Sequence, residues 1–372
     1  MSPMLQRRNL LQLLGSAGMP ALLTLPASSH ALPLKTLQFP RDHGAHPDFA
    51  IEWWYVTGQL RDSAGREFGF QVTFFRSRVD ATQAMTSRFA AKQLVFAHAA
   101  ITDVQGKKMQ HDQRVARQGF GLASANETTT DLKLGNWVLA RHSTAQGNNY
   151  QTQIKAGDFS LALQLLTTQP LLLQGKQGLS RKGPQESQAS YYYSQPQMAA
   201  SGQLTVQNQA FEVTGKAWLD HEWSQALLHA DAVGWDWIGI NLFDGSALTA
   251  FRLRRDNLNE IGSSLWDGGS FRLPKNIGGG ETYIFSKGEV DFKPLRSYQS
   301  PASGARYPVE WLVRTAVDFY TVKAVLDHQE LDSRQSTGAV YWEGLCVLFD
   351  SNGRQVGSGY LEMTGYAKAL RL

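Results

Sequence analysis

Residues 66–78 read REFGFQVTFFRSR, and their alternation decides the fold. Phe68, Phe70, Val72 and Phe74 fall on one face of an extended chain, with Gln71 and Thr73 on the other. A two-residue period of this kind belongs to a half-buried β-strand, because successive side chains of a strand point to opposite sides. The segments DFSLALQLLT, GQLTVQNQAFEVTG, ALTAFRLRR, DFYTVKAVLD and VYWEGLCVLFDSNGRQVGSGYLEMTG behave alike. Turn signals such as DSAG, DVQG, FDGS and DSNG separate these runs at hairpin spacing. Helical periodicity is nearly absent after the first thirty residues. The chain therefore reads as all-β, built from barrels or sandwiches.

Two echoes point to an internal duplication. WYVTGQLRDSAG from Trp54 resembles WIGINLFDG from Trp237, and HAAITDVQG (98–106) resembles CVLFDSNG (346–353). The boundary is expected near residue 200, after YYYSQPQMAA, giving domains at 32–200 and 201–372. GKQGLSRKGPQESQAS (175–190) is expected to be a long loop or flap.

Residues 1–31 are expected to be an export signal. Arg7 and Arg8 precede an apolar run without acids, and ASSHA offers small residues for cleavage near Ala31. The paired arginines followed by Asn9, Leu10 and Leu11 suggest the twin-arginine route, hence a periplasmic or secreted protein. Without this segment the formal charge falls from +4 to near +2. That is too mild for a nucleic-acid partner, and no basic cluster with interleaved aromatics appears. One cysteine, Cys346, leaves no partner for an intramolecular disulfide and is expected to be a small buried hydrophobe.

Chemistry concentrates around GKAWLDHEWSQ (215–225), where Asp220, His221 and Glu222 stand between Trp218 and Trp223. In an extended segment Asp220 and Glu222 share one face with Trp218, and His221 and Trp223 share the other. Further carboxylates sit among rings at Glu52, Asp236 and Glu343. Burial against indoles raises a carboxyl pKa unless a partner compensates, so each is either a poised general acid or a satisfied ion pair. His221 beside an aromatic wall, its tautomer fixed by a carboxylate, is a candidate proton donor or acceptor. With Trp53, Trp54, Tyr55, Trp223, Trp235 and Trp237 as lining, such a pocket suits an apolar molecule: alkene, polyene or acyl chain. Protonation of a double bond there, followed by addition of water, would be hydratase chemistry.

Other chemistries lack their motifs. The histidines and acids at His43, His46, Asp48, His98, His221, Glu222, His229 and Asp231 do not match HExxH or a zinc spacing, so no metal and no cofactor are expected. There is no G-x-S-x-G nucleophile elbow, and GGGE (278–281) is not a phosphate loop.

The segments HPDFAIEWWYVTGQL, FGFQVTFFR, FAHAAITD, SYYYS, AWLDHEWSQ, GWDWIGINLFDG, YWEGLCVLFD and GYLEMTGY resemble, in order from about residue 39 to 366, the AttH/CrtC-like family. That family includes secreted bacterial proteins labelled predicted hydrolases, the carotenoid 1,2-hydratases and more distant fungal cyclisation enzymes. The resemblance implies two consecutive lipocalin-like β-barrels. It also implies catalysis near Asp220, His221, Glu222 and Trp223, then Trp235, Asp236 and Trp237. The likeness is closer to the secreted AttH-like branch, where the position of His221 is often Arg; an Arg cannot serve as a base near neutral pH. Members of that branch are associated with ABC-type export machinery. The resemblance therefore also implies the alternative of a non-catalytic carrier or adaptor serving a membrane transporter.

Overall fold

The computed structural model describes residues 31–145, 147–226, 228–255 and 264–370; the expected export signal lies outside them but for Ala31. The first sheet contains β1 (Ile51–Asp62), β2 (Glu67–Arg78), β3 (Gln93–Asp103), β4 (Lys108–Arg117), β5 (Ala123–Ala125), β6 (Asp131–Leu134), β7 (Trp137–Thr144), β8 (Gly147–Lys155) and β9 (Phe159–Leu166). Short β10 (Leu172–Leu173) and β11 (Leu179–Arg181) follow, then the long β12 (Ala189–Val206) and β13 (Gln209–Ser224). Its strands run β4-β3-β2-β1-β13-β12-β9-β8-β7-β6-β5, with β10 and β11 laid against β12. Every pairing is antiparallel, and β3 and β4 approach β5 and β6, so the sheet nearly closes on itself.

The second sheet contains β14 (Ala232–Leu242), β15 (Ala247–Arg255), β16 (Ser264–Arg272), β17 (Thr282–Phe285), β18 (Asp291–Gln299), β19 (Arg306–Arg314), β20 (Phe319–Ala324), β21 (Glu330–Ser333), β22 (Ala339–Phe349) and β23 (Gln355–Met363). Its order is β17-β16-β15-β14-β23-β22-β20-β19-β18, with β21 against β22. It curls likewise, so the fold is all-β with two barrel-like halves. Residue 200 lies within β12; the first sheet's last strand ends at Ser224 and the second sheet's first strand begins at Ala232.

The topology places β1 and β14 alike: each pairs with the next strand in sequence on one side and with the last strand of its sheet on the other. The echo at Trp54 and Trp237 therefore marks equivalent strands. The second echo does not, because residues 98–106 lie on the β3–β4 hairpin near an edge and 346–353 on the central β22–β23 hairpin.

Alternation builds three apolar layers. Trp54, Val56, Phe68, Phe70, Val72, Phe74, Leu219 and Trp223 fill the first barrel. Ile238, Ile240, Leu248, Trp311, Trp342, Cys346, Leu361 and Met363 fill the second. Cys346 is buried there, and burial pushes its thiol pKa upward, as suits a structural hydrophobe. The opposite faces of the central strands pack the sheets together through Tyr55, Trp218, Trp237, Phe251, Leu345 and Tyr360. Trp237 meets Trp218 edge-on at 6.4 Å and Tyr55 at 5.3 Å.

Side-chain amides tie the same seam. Pro196 cannot donate to a ladder, and β12 shifts register between Gln195 and Met198, with Gln197 at φ 58°. The displaced Gln197 donates its backbone N–H to Asn241 Oδ1 at 2.8 Å and its amide to the carbonyls of Leu242 and Ser246. Gln174 donates to Thr249, and Thr102 to Gln329.

A Cβ on Gly239 of β14 would lie 2.3 Å from the Trp237 ring and 3.2 Å from that of Trp218. Gly239→Ala should cost about 1–3 kcal/mol by overpacking, seen as a lower denaturation midpoint with altered tryptophan fluorescence. An unchanged midpoint would mean that the seam yields freely.

Candidate functional site

The pairing of β1 with β13 sets opposite Trp53 and Glu222, Trp54 and His221, Tyr55 and Asp220. On the other side of β13, β12 sets opposite Tyr192 and Glu222, Tyr193 and His221, Ser194 and Asp220. The two-residue period then separates the motif into two sites that share a backbone.

The inner face is a closed ionic network. His221 is fully buried; its Nε2 lies 2.8 Å from Glu52 Oε1 and its Nδ1 3.1 Å from the Tyr193 hydroxyl. Glu52 also meets His46 Nδ1 at 2.7 Å, accepts from the His46 backbone N–H at 2.8 Å, and accepts from Arg76 Nε at 2.9 Å. The two terminal nitrogens of Arg76 donate to Gln93 Oε1 and to the carbonyls of His46 and Phe49. Trp54 stacks on His221 at 4.4 Å, and Trp223 stacks on His46 at 3.8 Å. Burial lowers the His221 pKa to about 4, against the pull of Glu52. Glu52 is driven below the usual carboxylate range, its hydrogen bonds to His221 and His46 overcoming the upward push of burial.

His46, Glu52 and His221 are also the group of described residues that could hold a metal, with ligand atoms within 4.8 Å of one another. Both imidazoles, however, sit at hydrogen-bond distance from the same Glu52 oxygen. An ion about 2.0–2.2 Å from each ligand would have to displace both bonds. The donor set fits the hydrogen-bonded network as it stands.

The outer face borders a cavity of about 360 Å³ between the two sheets. The first sheet contributes Trp53, Tyr55, Tyr192, Asp220 and Glu222; the second contributes Trp235, Trp237, Phe251, Glu343 and Glu362. Of the expected lining residues, Trp53, Tyr55, Trp235 and Trp237 border it, whereas Trp54 and Trp223 face the first barrel's interior. Of the expected catalytic residues, Asp220 and Glu222 border it. His221 belongs to the inner network. Asp236 is buried in the second barrel, 2.7 Å from Arg252 Nε and accepting from the Tyr366 hydroxyl at 2.9 Å.

Asp220 accepts from Trp218 Nε1 at 2.7 Å, Ser194 Oγ at 2.5 Å and Tyr192 at 2.9 Å, all neutral donors. Burial raises its pKa to about 7 despite those bonds, and nearby Glu222 adds to the rise. Glu222 accepts from Ser190 and is ion-paired with Lys182 at 2.9 Å; Lys182 also lies over the Tyr192 and Phe251 rings. The expected flap thus delivers the counter-ion. Opposite, Glu343 and Glu362 are cross-strand neighbours on β22 and β23. Glu362 accepts from Trp235 Nε1 at 3.0 Å, and burial raises its pKa to about 7. Glu343 is raised well above the carboxylate range by burial and by Glu362. The spacing of carboxylates among rings pointed to Glu343, but Glu362 and Lys182 enter the site only through register and flap.

Fold and site define a class: a two-barrel all-β protein with an aromatic, acid-bearing cavity where the barrels meet. The sequence matches the AttH-like family over residues 30–366, and the chain belongs to that family. It is similar to an AttH-type protein of Nitrosomonas europaea at 45% identity, covering 90% of this chain and 99% of that one, with a TM-score of 0.82. Kievitone hydratase of Nectria haematococca shares the fold at 14% identity and TM-score 0.67, over 90% and 94% of the chains. CghA with Sch210972 does so at 13% identity and TM-score 0.51, over 86% and 88%. No curated protein matches the sequence.

Two outcomes test the division of the motif. An Asp220 whose folded pKa lies above its unfolded value costs stability as pH rises through the interval from about 4 to about 7. Asp220→Asn should therefore gain stability relative to the unsubstituted chain between pH 5 and pH 8, by on the order of 2–4 kcal/mol. Denaturation at both pH values checks this, and a pH-independent difference would show Asp220 titrating as in water. On the inner face, Arg76→Met should cost about 3–5 kcal/mol at pH 7, because it strands the Glu52 charge.

Proposed function

We propose that this is an exported protein whose inter-barrel cavity binds an elongated apolar molecule and performs proton transfer on it, of the kind that adds water to a carbon–carbon double bond. The observation that carries the reading is Asp220: a buried carboxyl bonded only to neutral donors on the wall of an aromatic cavity, where burial pushes its pKa up to about 7. A group of this kind holds a proton near neutral pH and can give it up within the cavity. Protonating an alkene leaves a carbocation, and the faces of Trp53, Trp235 and Trp237 stabilise positive charge by about 1–2 kcal/mol each when desolvated. Glu222, held by Lys182 and Ser190, is placed on the same wall to take a proton from the attacking water. His221 has no part in this, because its nitrogens are spent on Glu52 and Tyr193. The reading gains support from a structural relative that is named a hydratase. Export rests on Arg7, Arg8 and the apolar run after them.

A carrier that passes its ligand to a membrane ABC-type transporter is the second reading, and one surface favours it. Phe89 and Phe120 stack 5.5 Å apart while exposed, with Arg88 and Arg117 over their rings. Exposed Val115 on β4 lies opposite Phe96, which lines the cavity. An apolar and basic surface beside the cavity is what delivery to another surface requires.

Mass spectrometry of the protein purified from its native compartment should find a bound isoprenoid or lipid-like molecule. With a polyene substrate, Asp220→Asn should abolish water addition while affinity stays within about threefold. Binding without turnover by the unsubstituted chain would leave the carrier reading. No apolar ligand under any condition would end both.

A further inference from the structure

The cavity carries more acid than a hydrocarbon calls for. Asp220, Glu343 and Glu362 reach it from three strands of two sheets, and their partners are all neutral. Trp218, Ser194 and Tyr192 serve Asp220, and Trp235 serves Glu362. The Tyr55 hydroxyl is directed at Glu343, yet neither it nor Glu343 Oε1 completes a hydrogen bond of ordinary geometry, although both residues are more than nine-tenths buried.

The basic groups of the same wall are committed elsewhere. Lys182 pairs with Glu222, Arg76 with Glu52, and Lys368 lies exposed at the rim. His98 is engaged at both nitrogens, by the Tyr341 and Ser336 hydroxyls. Buried carboxyls without a counter-charge must either keep protons or meet a cation. Rings surround this excess, and indole and phenol faces attract cations more strongly than neutral groups. An apolar amine satisfies both halves of the cavity: its chain occupies the aromatic lining, and its ammonium supplies the missing positive charge.

We propose that the cavity selects apolar molecules bearing an amine, with the ammonium seated against Glu343 and Glu362 and the hydrocarbon against Trp53, Trp235 and Trp237. This deepens the apolar-cavity reading above and rests on it. Glu343 and Glu362 act here as binding groups, and their cross-strand placement gives an ammonium two acceptors on one side of the cavity while Asp220 keeps its proton.

Decylamine, decanol and decanoic acid, matched in chain length, separate the possibilities by calorimetry at pH 7.5 below their aggregation limits. The amine should bind about ten- to a hundredfold more tightly than the alcohol, and the acid most weakly. Glu343→Gln and Glu362→Gln should each lower amine affinity about tenfold while leaving decanol affinity in place, which also reports an intact cavity. Decanol binding with no advantage for the amine overturns the amine proposal and leaves the apolar cavity standing. So does an amine preference that survives both glutamine variants. Failure of all three probes removes both readings together. The comparison on the unsubstituted chain decides the matter even if a variant does not fold.

Discussion

The ladder between β1 and β13 is the constraint on which the molecule rests. From Glu52 to Gly58, where it runs beside Ala217 to Trp223, each residue must point to one side or the other, and both sides are enclosed. A strand with solvent on one face can discard its polar side chains there; this stretch cannot. Its ionisable groups must therefore find partners in the first barrel or a use in the seam. Glu52 and His221 take the first course, fixed by Arg76 and His46. Asp220 and Glu222 take the second.

The two faces solve desolvation differently, and the difference separates structure from chemistry. Inside, Glu52 meets His46, His221 and Arg76 at 2.7–2.9 Å, and each side-chain nitrogen of Arg76 donates. Such a network is costly to disturb and has nothing left over for a ligand. In the seam, Asp220 and Glu362 are held by indole N–H groups and hydroxyls, which orient a carboxyl without cancelling its charge. A proton can then come and go. The tryptophans around DHEW accordingly do unlike things: Trp218 orients Asp220, while Trp223 covers His46.

Alternation made the strands legible, and it made legible that Asp220 and Glu222 share a face opposite to His221. It could not say which face met the void. Choosing between them requires knowing that β1 and β13 lie against a second sheet, and that is a property of long-range pairing. The same gap accounts for Glu362, whose relevance comes from lying across from Glu343, and for Lys182, brought in by a segment without periodicity of its own. Asp236 shows the converse: among tryptophans in sequence, its strand position turns it toward Arg252 inside the second barrel. The leading echo at Trp54 and Trp237 was informative because it reflects equivalent central strands; the other arose from hairpin grammar alone.

The amide contacts that join the sheets have a consequence for assembly. Gln174, Gln197 and Asn241 donate or accept across the seam and Gln329 accepts from Thr102, so these amides match only when the two halves meet in one alignment. An oily seam alone would tolerate sliding by a residue or two. With these groups as keys, any slip orphans several of them at once, and the dimensions of the hollow are thereby standardised from molecule to molecule.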